Sequence, residues 1–478
     1  MRELLFFCLF LCQVAWGDQG FHYQVKAPHE FMVLNDGPAA FAKRIEMIER
    51  ARESIDFEYF MYNRDETARI LTHALLKKHA EGVKIRMLID KSPFLFFNDY
   101  DATELLKAGI EVKYYNRKSI LRVKSYQFRN HKKVLIIDGK EALLGGRNLG
   151  DEYFFNYKNY NYNDRDAWFA GPIVENVRET FNYFWNHKVS EVAEKKVRPM
   201  ASLRRLGPAL RKKYFQQLRI YKKHTKEAKA FMTEDEKILE RREHIMETGL
   251  KQLEGYPTFL CNDIEYASDG PGGNGKARYM GELIYEKMTN VTHDLEIESP
   301  YFVTRDRERE LYSIILAKGV DVKLFTNSIR SSDNILIVNN FNHRIDFFTQ
   351  KGMDVSIHYG NPVNKPWEIL KEHALKNPWG THAKTVVFDK KDTLIGSYNL
   401  DPRSFLYSAE NAIICNNSPE VAEYVIADIE NRKKVAGVDL DQNGNPIGHD
   451  DLMLGVGFYK RFKHVAVTFF ASLFDFLL

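Results

Sequence analysis

Short apolar runs, several introduced by a glycine and spaced by stretches of helical periodicity, recur along the chain, and they recur twice. Ser54-Ile-Asp-Phe-Glu-Tyr-Phe has strand character, and Asp294-Leu-Glu-Ile-Glu-Ser-Pro-Tyr-Phe echoes it, with Glu58 and Glu298 at matching places. A helical pattern follows each run. Gly82-Val-Lys-Ile-Arg-Met-Leu-Ile and Gly319-Val-Asp-Val-Lys-Leu-Phe-Thr come next, then Gly109-Ile-Glu-Val-Lys-Tyr and Gly352-Met-Asp-Val-Ser-Ile. Strand–helix–strand order with a glycine before each returning strand is an α/β signature. The pattern therefore predicts two related α/β units, at 18–190 and 256–436, joined by a helical arm at 191–255 and followed by a tail at 437–478.

Composition narrows the class. With 478 residues, 44% hydrophobic, and a formal net charge of +4, the chain is no disordered polymer. No apolar run reaches the roughly 18 residues of a membrane span, which argues against a multi-span membrane protein. The first residues read as a secretory signal at 1–17: Arg2, an apolar stretch from Leu4 to Leu11, then Ala15-Trp16-Gly17 before Asp18. An uncleaved anchor is the alternative. Cleavage would leave Cys261 and Cys415, which either pair or remain two buried thiols. The near-neutral total conceals a local excess. Residues 201–230 hold ten basic side chains, from Arg204 and Arg205 to Lys229, against the single acidic Glu227. Leu210, Tyr214, Leu218 and Tyr221 recur through them at helical spacing, and Thr233 with Glu236 suggests a capping box for a second helix. Such an arm suits an anionic membrane surface, a nucleic-acid contact or a solvated linker; the lipid surface is preferred. At the end of the chain, Phe458, Phe462, Val465, Phe469, Leu473 and Phe476 form one face of an amphipathic helix, read as a membrane-interface element or as a helix docked on the protein's own core.

The strongest chemical signal is duplicated. His131-Lys-Lys133-Val-Leu-Ile-Ile-Asp138 is followed by Gly145-Gly-Arg-Asn148, and His382-Ala-Lys384-Thr-Val-Val-Phe-Asp389 by Gly396-Ser-Tyr-Asn399. Lys, Asp, Gly and Asn stand at offsets 2, 7, 14 and 17 from His in both copies. Positions two apart on a strand share a face, so each His points with its Lys. Asp138 and Asp389 fall on the opposite parity or in the next turn, and suit structural pairing. The glycines allow close backbone approach, and Asn148 and Asn399 can return an amide to the reacting face. Two imidazoles, two ammonium groups and two amides fit a phosphodiester. Lys and Asn would hold its non-bridging oxygens, one His would attack phosphorus, and the other would move protons. Lysine supplies the positive charge, so neither metal nor cofactor is called for. The copies are symmetric, and the residues alone do not order the two histidines.

These paired motifs resemble the phospholipase D superfamily over roughly residues 30 to 435. The resemblance implies two pseudo-symmetric α/β domains sharing one active site at their interface. It also implies an acidic residue downstream of each Asn that orients the catalytic His. Glu410 fits that role in the second half, and Asp166, in Asp164-Arg-Asp-Ala-Trp-Phe, is the best match in the first. The superfamily pattern assigns the nucleophile to His131 and the acid/base to His382. Ser299-Pro-Tyr-Phe, Tyr398-Asn-Leu-Asp-Pro-Arg-Ser and Thr326-Asn-Ser are similar to bacterial cardiolipin synthases, whose substrates are phospholipids, phosphatidylglycerol among them. The signal-like start replaces the pair of transmembrane helices that other forms carry. A hydrolytic phospholipase D and an exported nuclease are the competing functions, and the terminal amphipathic helix weighs against nucleic acid. Two further motifs read as decoys. Gly270-Pro-Gly-Gly-Asn-Gly275-Lys276 has phosphate-loop spacing but Ala277 in place of Ser or Thr. Asp439-Leu-Asp-Gln-Asn443 begins like a calcium loop, but Pro446 interrupts it.

Overall fold

The computed structural model describes residues 20–448 except 93–96, 118–126, 200–207, 274–277, 333, 343, 361–373 and 375. The expected signal segment at 1–17, the terminal helix at 458–478, and Arg204 and Arg205 of the arm lie outside the described residues.

Among the described residues, two nine-stranded sheets share one plan. The first runs in the order Ser190–Val192, Glu111–Tyr115, Lys84–Asp90, Ser54–Tyr59, Lys133–Ile137, Glu141–Gly145, Asp166–Ala170, His29–Leu34 and Phe259–Cys261. The second runs Gly437–Asp439, Asp354–His358, Asp321–Asn327, Asp294–Glu298, Thr385–Phe388, Asp392–Gly396, Asn411–Cys415, Ile264–Asp269 and Gly20–Val25. In each, the three strands read from the repeat are parallel neighbours. The strand following each His-x-Lys motif lies antiparallel beside the first of them.

The outermost strands are exchanged. Gly20–Val25 precedes the first unit but pairs with Ile264–Asp269 of the second sheet. Phe259–Cys261 precedes the second unit but pairs with His29–Leu34 of the first sheet. Cys261 and Cys415 form a disulfide with Cα atoms 5.9 Å apart, and so covalently tie the exchanged strand to the opposite sheet. The bridge spans 154 residues of sequence, and a cross-link of that reach stabilises by on the order of 2–5 kcal/mol through the unfolded chain.

Alternation along the strands explains the layers. Ile55, Phe57 and Leu135 turn to helices Gly37–Arg50, Glu66–Ala80 and Asp99–Ala108 on the outside of the first sheet. Val33, Val134, Ala167 and Phe169 turn the other way, into a core shared with Tyr266, Phe325, Val387 and Ile413 of the second unit. One apolar layer therefore joins both halves, and its edge carries the site.

The arm consists of helices Pro208–Met232 and Glu236–Leu253. The second packs Ile238, Ile245 and Gly249 inward. A Cβ at Gly249 would lie 2.3 Å from the Pro38 carbonyl oxygen, so only glycine permits this helix to seat on Gly37–Arg50. The expected capping box is corrected: Asp235, not Thr233, caps this helix by accepting from the Ile238 amide at 3.0 Å, while the Thr233 hydroxyl turns back to the Lys229 carbonyl. Among the described residues no helix is long and apolar enough to cross a membrane.

Candidate active site

Each histidine is seated by a backbone segment of the opposite half. The His131 amide donates to the Ala409 carbonyl at 2.9 Å, and Asn130 bridges Ala409 in parallel register. The His382 amide donates to the Asn163 carbonyl at 2.6 Å, as Trp379–Thr381 pairs in parallel with Asn161–Asn163. This reciprocal pairing brings both imidazoles to one cavity of about 180 Å³, which Asn148, Asn399 and Glu410 also line. Behind them, Lys133 Nζ and Lys384 Nζ each donate to the carbonyl of their own His at 2.5 Å. Lys384 Nζ also lies 3.0 Å from His382 Nδ1.

The motif aspartates stand apart from this cavity. Asp138 and Asp389 take left-handed backbone conformations in the turns after their strands, with φ of 54° and 49°. The Asp138 carboxylate accepts from the amides of Arg52, Glu53 and Ser54, and Asp389 from those of Thr292, His293 and Asp294. Each thus organises the entry to the antiparallel strand beside its own, and the amides hold both carboxyls below their ordinary range against the opposing effect of burial.

The carboxylates that meet the histidines come from the other half. His131 Nδ1 donates to Glu410 Oε2 at 2.9 Å, and His382 Nδ1 donates to Asp164 Oδ2 at 2.6 Å. The expected partner Asp166 is corrected to Asp164. Asp166 instead receives two buried guanidiniums, Arg44 at 2.9 Å and Arg147 at 3.0 Å. Register decides the matter. Glu410 directly follows Ala409 and Asp164 directly follows Asn163, the two residues whose carbonyls accept the histidine amides. Five more residues separate Asn148 from Asp164 than separate Asn399 from Glu410, which hides the equivalence in the sequence.

The two pairs differ in charge. Burial pushes the Glu410 carboxyl up to about 7, although Lys133 and the hydroxyls of Ser397 and Ser404 oppose it. Those hydroxyls donate to Glu410 at 2.6 and 2.9 Å. Burial would raise Asp164 as well, but the His382 ring and the Lys384 charge outweigh it and hold this carboxyl below its ordinary value. Burial, reinforced by the charges of Lys133 and Lys384, holds His131 well below 6.5. His382 is lowered by burial and Lys384, while Asp164 works in the opposite sense. A glycine explains part of the asymmetry: a Cβ at Gly146 would meet Asp164 Oδ1 at 2.0 Å, whereas the equivalent Ser397 supplies a hydroxyl to Glu410. Aromatic rings complete the walls, Phe60 edge-on to His131 at 4.8 Å, and Tyr153 and Tyr162 against His382 at 5.1 and 5.3 Å. Sequence reasoning passed over Asp164, Ser397, Ser404 and these rings; a comparison of residues preceding the equivalent strands Asp166–Ala170 and Asn411–Cys415 could have found the first.

A family model described as cardiolipin synthase, PLD-like domain, matches residues 44–185 and 284–433. The chain belongs to that family. Cardiolipin synthase C of Escherichia coli K12 is 27% identical over 399 residues, covering 78% of this chain and 79% of that protein. An uncharacterized protein of Helicobacter pylori strain 26695 is 28% identical over 410 residues, covering 82% of this chain and 77% of that protein. A crystal structure of phosphatidylserine synthase from Haemophilus influenzae shares the fold, with a TM-score of 0.61 at 14% identity over 94% of this chain and 95% of that one. The protein is thus a member of the cardiolipin synthase-like, PLD-type phospholipid enzymes, with two PLD-like α/β units.

Within this PLD-like frame the two neighbouring aspartates separate by experiment. Asp164→Asn is expected to lower kcat by about 10²–10⁴-fold with little change in thermal stability, because it removes the carboxylate charge that holds His382 Nδ1. Asp166→Asn should instead destabilise folding, by on the order of 3 kcal/mol, because it leaves Arg44 and Arg147 uncompensated. Steady-state kinetics and denaturant unfolding of both variants check the assignment; equal kinetic losses in the two would refute it.

Proposed function

We propose that this protein transfers a phosphatidyl group to the hydroxyl of phosphatidylglycerol and so forms cardiolipin. The observation that carries the reading is the pair of histidines at one cavity, each held through Nδ1 by a carboxylate of the other half. In the first step His131 Nε2 forms a bond to phosphorus as the bond to the leaving glycerol oxygen breaks, and His382 gives that oxygen a proton. In the second step the acceptor hydroxyl forms the new phosphorus–oxygen bond, the nitrogen–phosphorus bond breaks, and His382 takes the hydroxyl proton. Three features support His131 as the nucleophile. Its low pKa keeps it neutral, its Nδ1 is engaged by Glu410, and its ring lines the cavity. His382, opposite an ionised Asp164, is the better proton carrier. Lys133, Lys384, Asn148 and Asn399 would stabilise the charge on the phosphoryl oxygens.

The surrounding surfaces agree with work at a membrane. Helix Pro208–Met232 buries only Ala228 and Phe231, near its end, and exposes Leu210, Phe215 and Ile220 among its lysines and arginines. An exposed basic amphipathic helix is suited to anionic lipid. The disulfide agrees with an exported protein in an oxidising compartment.

Purified protein given phosphatidylglycerol in detergent should yield cardiolipin and glycerol in equal amounts on lipid separation; phosphatidic acid as the sole lipid product would overturn the transfer reading in favour of hydrolysis. The pH profile offers an independent check. Burial lowers Lys133 to about 7, with Glu410 opposing and Lys384 adding to it. Neutral His131, protonated His382 and protonated Lys133 are the active forms. His382 is held below 6.5, so kcat/KM of the free enzyme should begin to fall on the alkaline side as His382 loses its proton and fall again above about pH 7 with Lys133, the acid limb of His131 lying well below 6.5. Lys133→Arg should remove the loss near pH 7 and leave the lower, His382 limb in place, since guanidinium does not titrate there. A loss near pH 7 that persists in this variant would assign it to another group.

A further inference from the structure

The two walls of the cavity are not equivalent. Four residues after each motif Asn stand Arg403 in one half and Glu152 in the other. Glu152 is buried, bonded to the Asn63 amide at 3.1 Å, and pushed by burial up to about 7. Arg403 is exposed, lines the cavity, and is the one Lys or Arg among the described residues lining it. Its backbone is fixed: its carbonyl accepts from the Tyr407 and Ser408 amides, each at 2.9 Å, in the short helix Pro402–Leu406. The adjacent Asp401 is occupied in capping that helix through the Ser404 amide at 2.7 Å. No described residue pairs with the Arg403 guanidinium by hydrogen bond or salt bridge.

The stoichiometry of the proposed reaction creates a need for such a group. Transfer between two lipids brings two phosphates to the site. The first would be bound to histidine beside Asn148 and Asn399, with the charges of Lys133 and Lys384 behind the rings. The second remains intact in the acceptor, one glycerol away from the attacking hydroxyl, and still carries its negative charge. Bringing that anion to a cavity of low dielectric without a cation is unfavourable. A guanidinium is a planar, permanently charged fork that fits two phosphate oxygens.

We propose that Arg403 selects the acceptor by binding the phosphate that the second lipid retains. The assignment rests on the transfer reading, and it adds the residue that favours the anionic phospholipid over a simple alcohol. Arg403 serves the second step and discriminates among nucleophiles that compete for one covalent intermediate. The rival nucleophiles are water and small uncharged alcohols, which have no phosphate to hold.

The test is a partition measurement on the full chain, with phosphatidylglycerol as donor and ethanol added as a competing acceptor. Cardiolipin and phosphatidylethanol are then made from the same intermediate, and their ratio is independent of how fast it forms. Arg403→Gln is expected to lower the ratio of cardiolipin to phosphatidylethanol by about tenfold to a hundredfold, the effect of losing charge-assisted hydrogen bonds to one phosphate. Arg403→Lys should recover part of it. An unchanged ratio in Arg403→Gln overturns the assignment, whatever happens to the overall rate. Wild-type protein that makes phosphatidylethanol but no cardiolipin also overturns it, while leaving phosphatidyl transfer standing. Wild-type protein that makes only phosphatidic acid, or turns over no phospholipid, overturns the transfer reading and this assignment together.

Discussion

His131→Ala is expected to lower phospholipid turnover by about 10⁴-fold or more, because it removes the group proposed to form the covalent bond to phosphorus. His382→Ala should cost about 10²–10⁴-fold, the range for a lost general acid–base. The two variants also separate qualitatively. A phosphodiester donor with a good leaving group needs no protonation in the first step. With such a donor carrying labelled phosphate, His382→Ala should accumulate acid-labile label on the protein, because the second step lacks its base. His131→Ala should acquire none. Label on His131→Ala and none on His382→Ala would exchange the two roles, and full turnover in both would refute the mechanism. The prediction draws on the contrast between the pairs: Glu410 raised to about 7 beside His131, and Asp164 held ionised beside His382.

The second large effect concerns stability. Glu298 is fully buried between Arg165 at 2.8 Å and Arg432 at 2.9 Å, and it accepts the Thr381 hydroxyl at 2.7 Å. Arg165 belongs to the first half and Glu298 to the second, so this network joins the units directly behind His382. Glu298→Leu leaves two guanidiniums with reduced compensation in a dry interior and should destabilise the fold by about 3–5 kcal/mol. Denaturant unfolding measures it, with Arg165→Met/Glu298→Leu as the partner variant. The double variant should be less destabilised than the sum of the single ones, since it removes both members of an ion pair. A loss below about 1 kcal/mol for Glu298→Leu would show that Asp428, 2.5 Å from Arg165 and 2.8 Å from Arg432, suffices to compensate both arginines.

Much of this site was legible before folding, for a local reason. His and Lys two positions apart, a strand, and a turn with Asp are features of a single short segment, so spacing set His131 and Lys133 on one face and Asp138 on the other parity or in the turn; that its carboxylate receives the amides of Arg52, Glu53 and Ser54 came from the fold. Glu58 and Glu298, matched in the repeat, prove to be buried ion-pair partners, Glu58 of Lys132 and Glu298 of Arg165 and Arg432. The failure at Asp166 is equally instructive. Asp166 begins a strand and looks outward to no solvent; two arginines from its own half consume it, one of them 122 residues away in helix Gly37–Arg50. Counting residues from Asn148 cannot reveal that, because the intervening loop differs in length between the copies.

By itself the sequence determined the inventory: a duplicated α/β unit, paired His-x-Lys motifs leading into equivalent strands, and a basic arm between them. Only the tertiary structure decided the pairings. His131 meets Glu410 across 279 residues and His382 meets Asp164 across 218. Cys261 joins Cys415 and the outer strands change sheets. Each of these contacts is set by the register of one half's backbone against the other. Register between distant segments follows from the packing of the shared core, and periodicity within a segment carries no information about it.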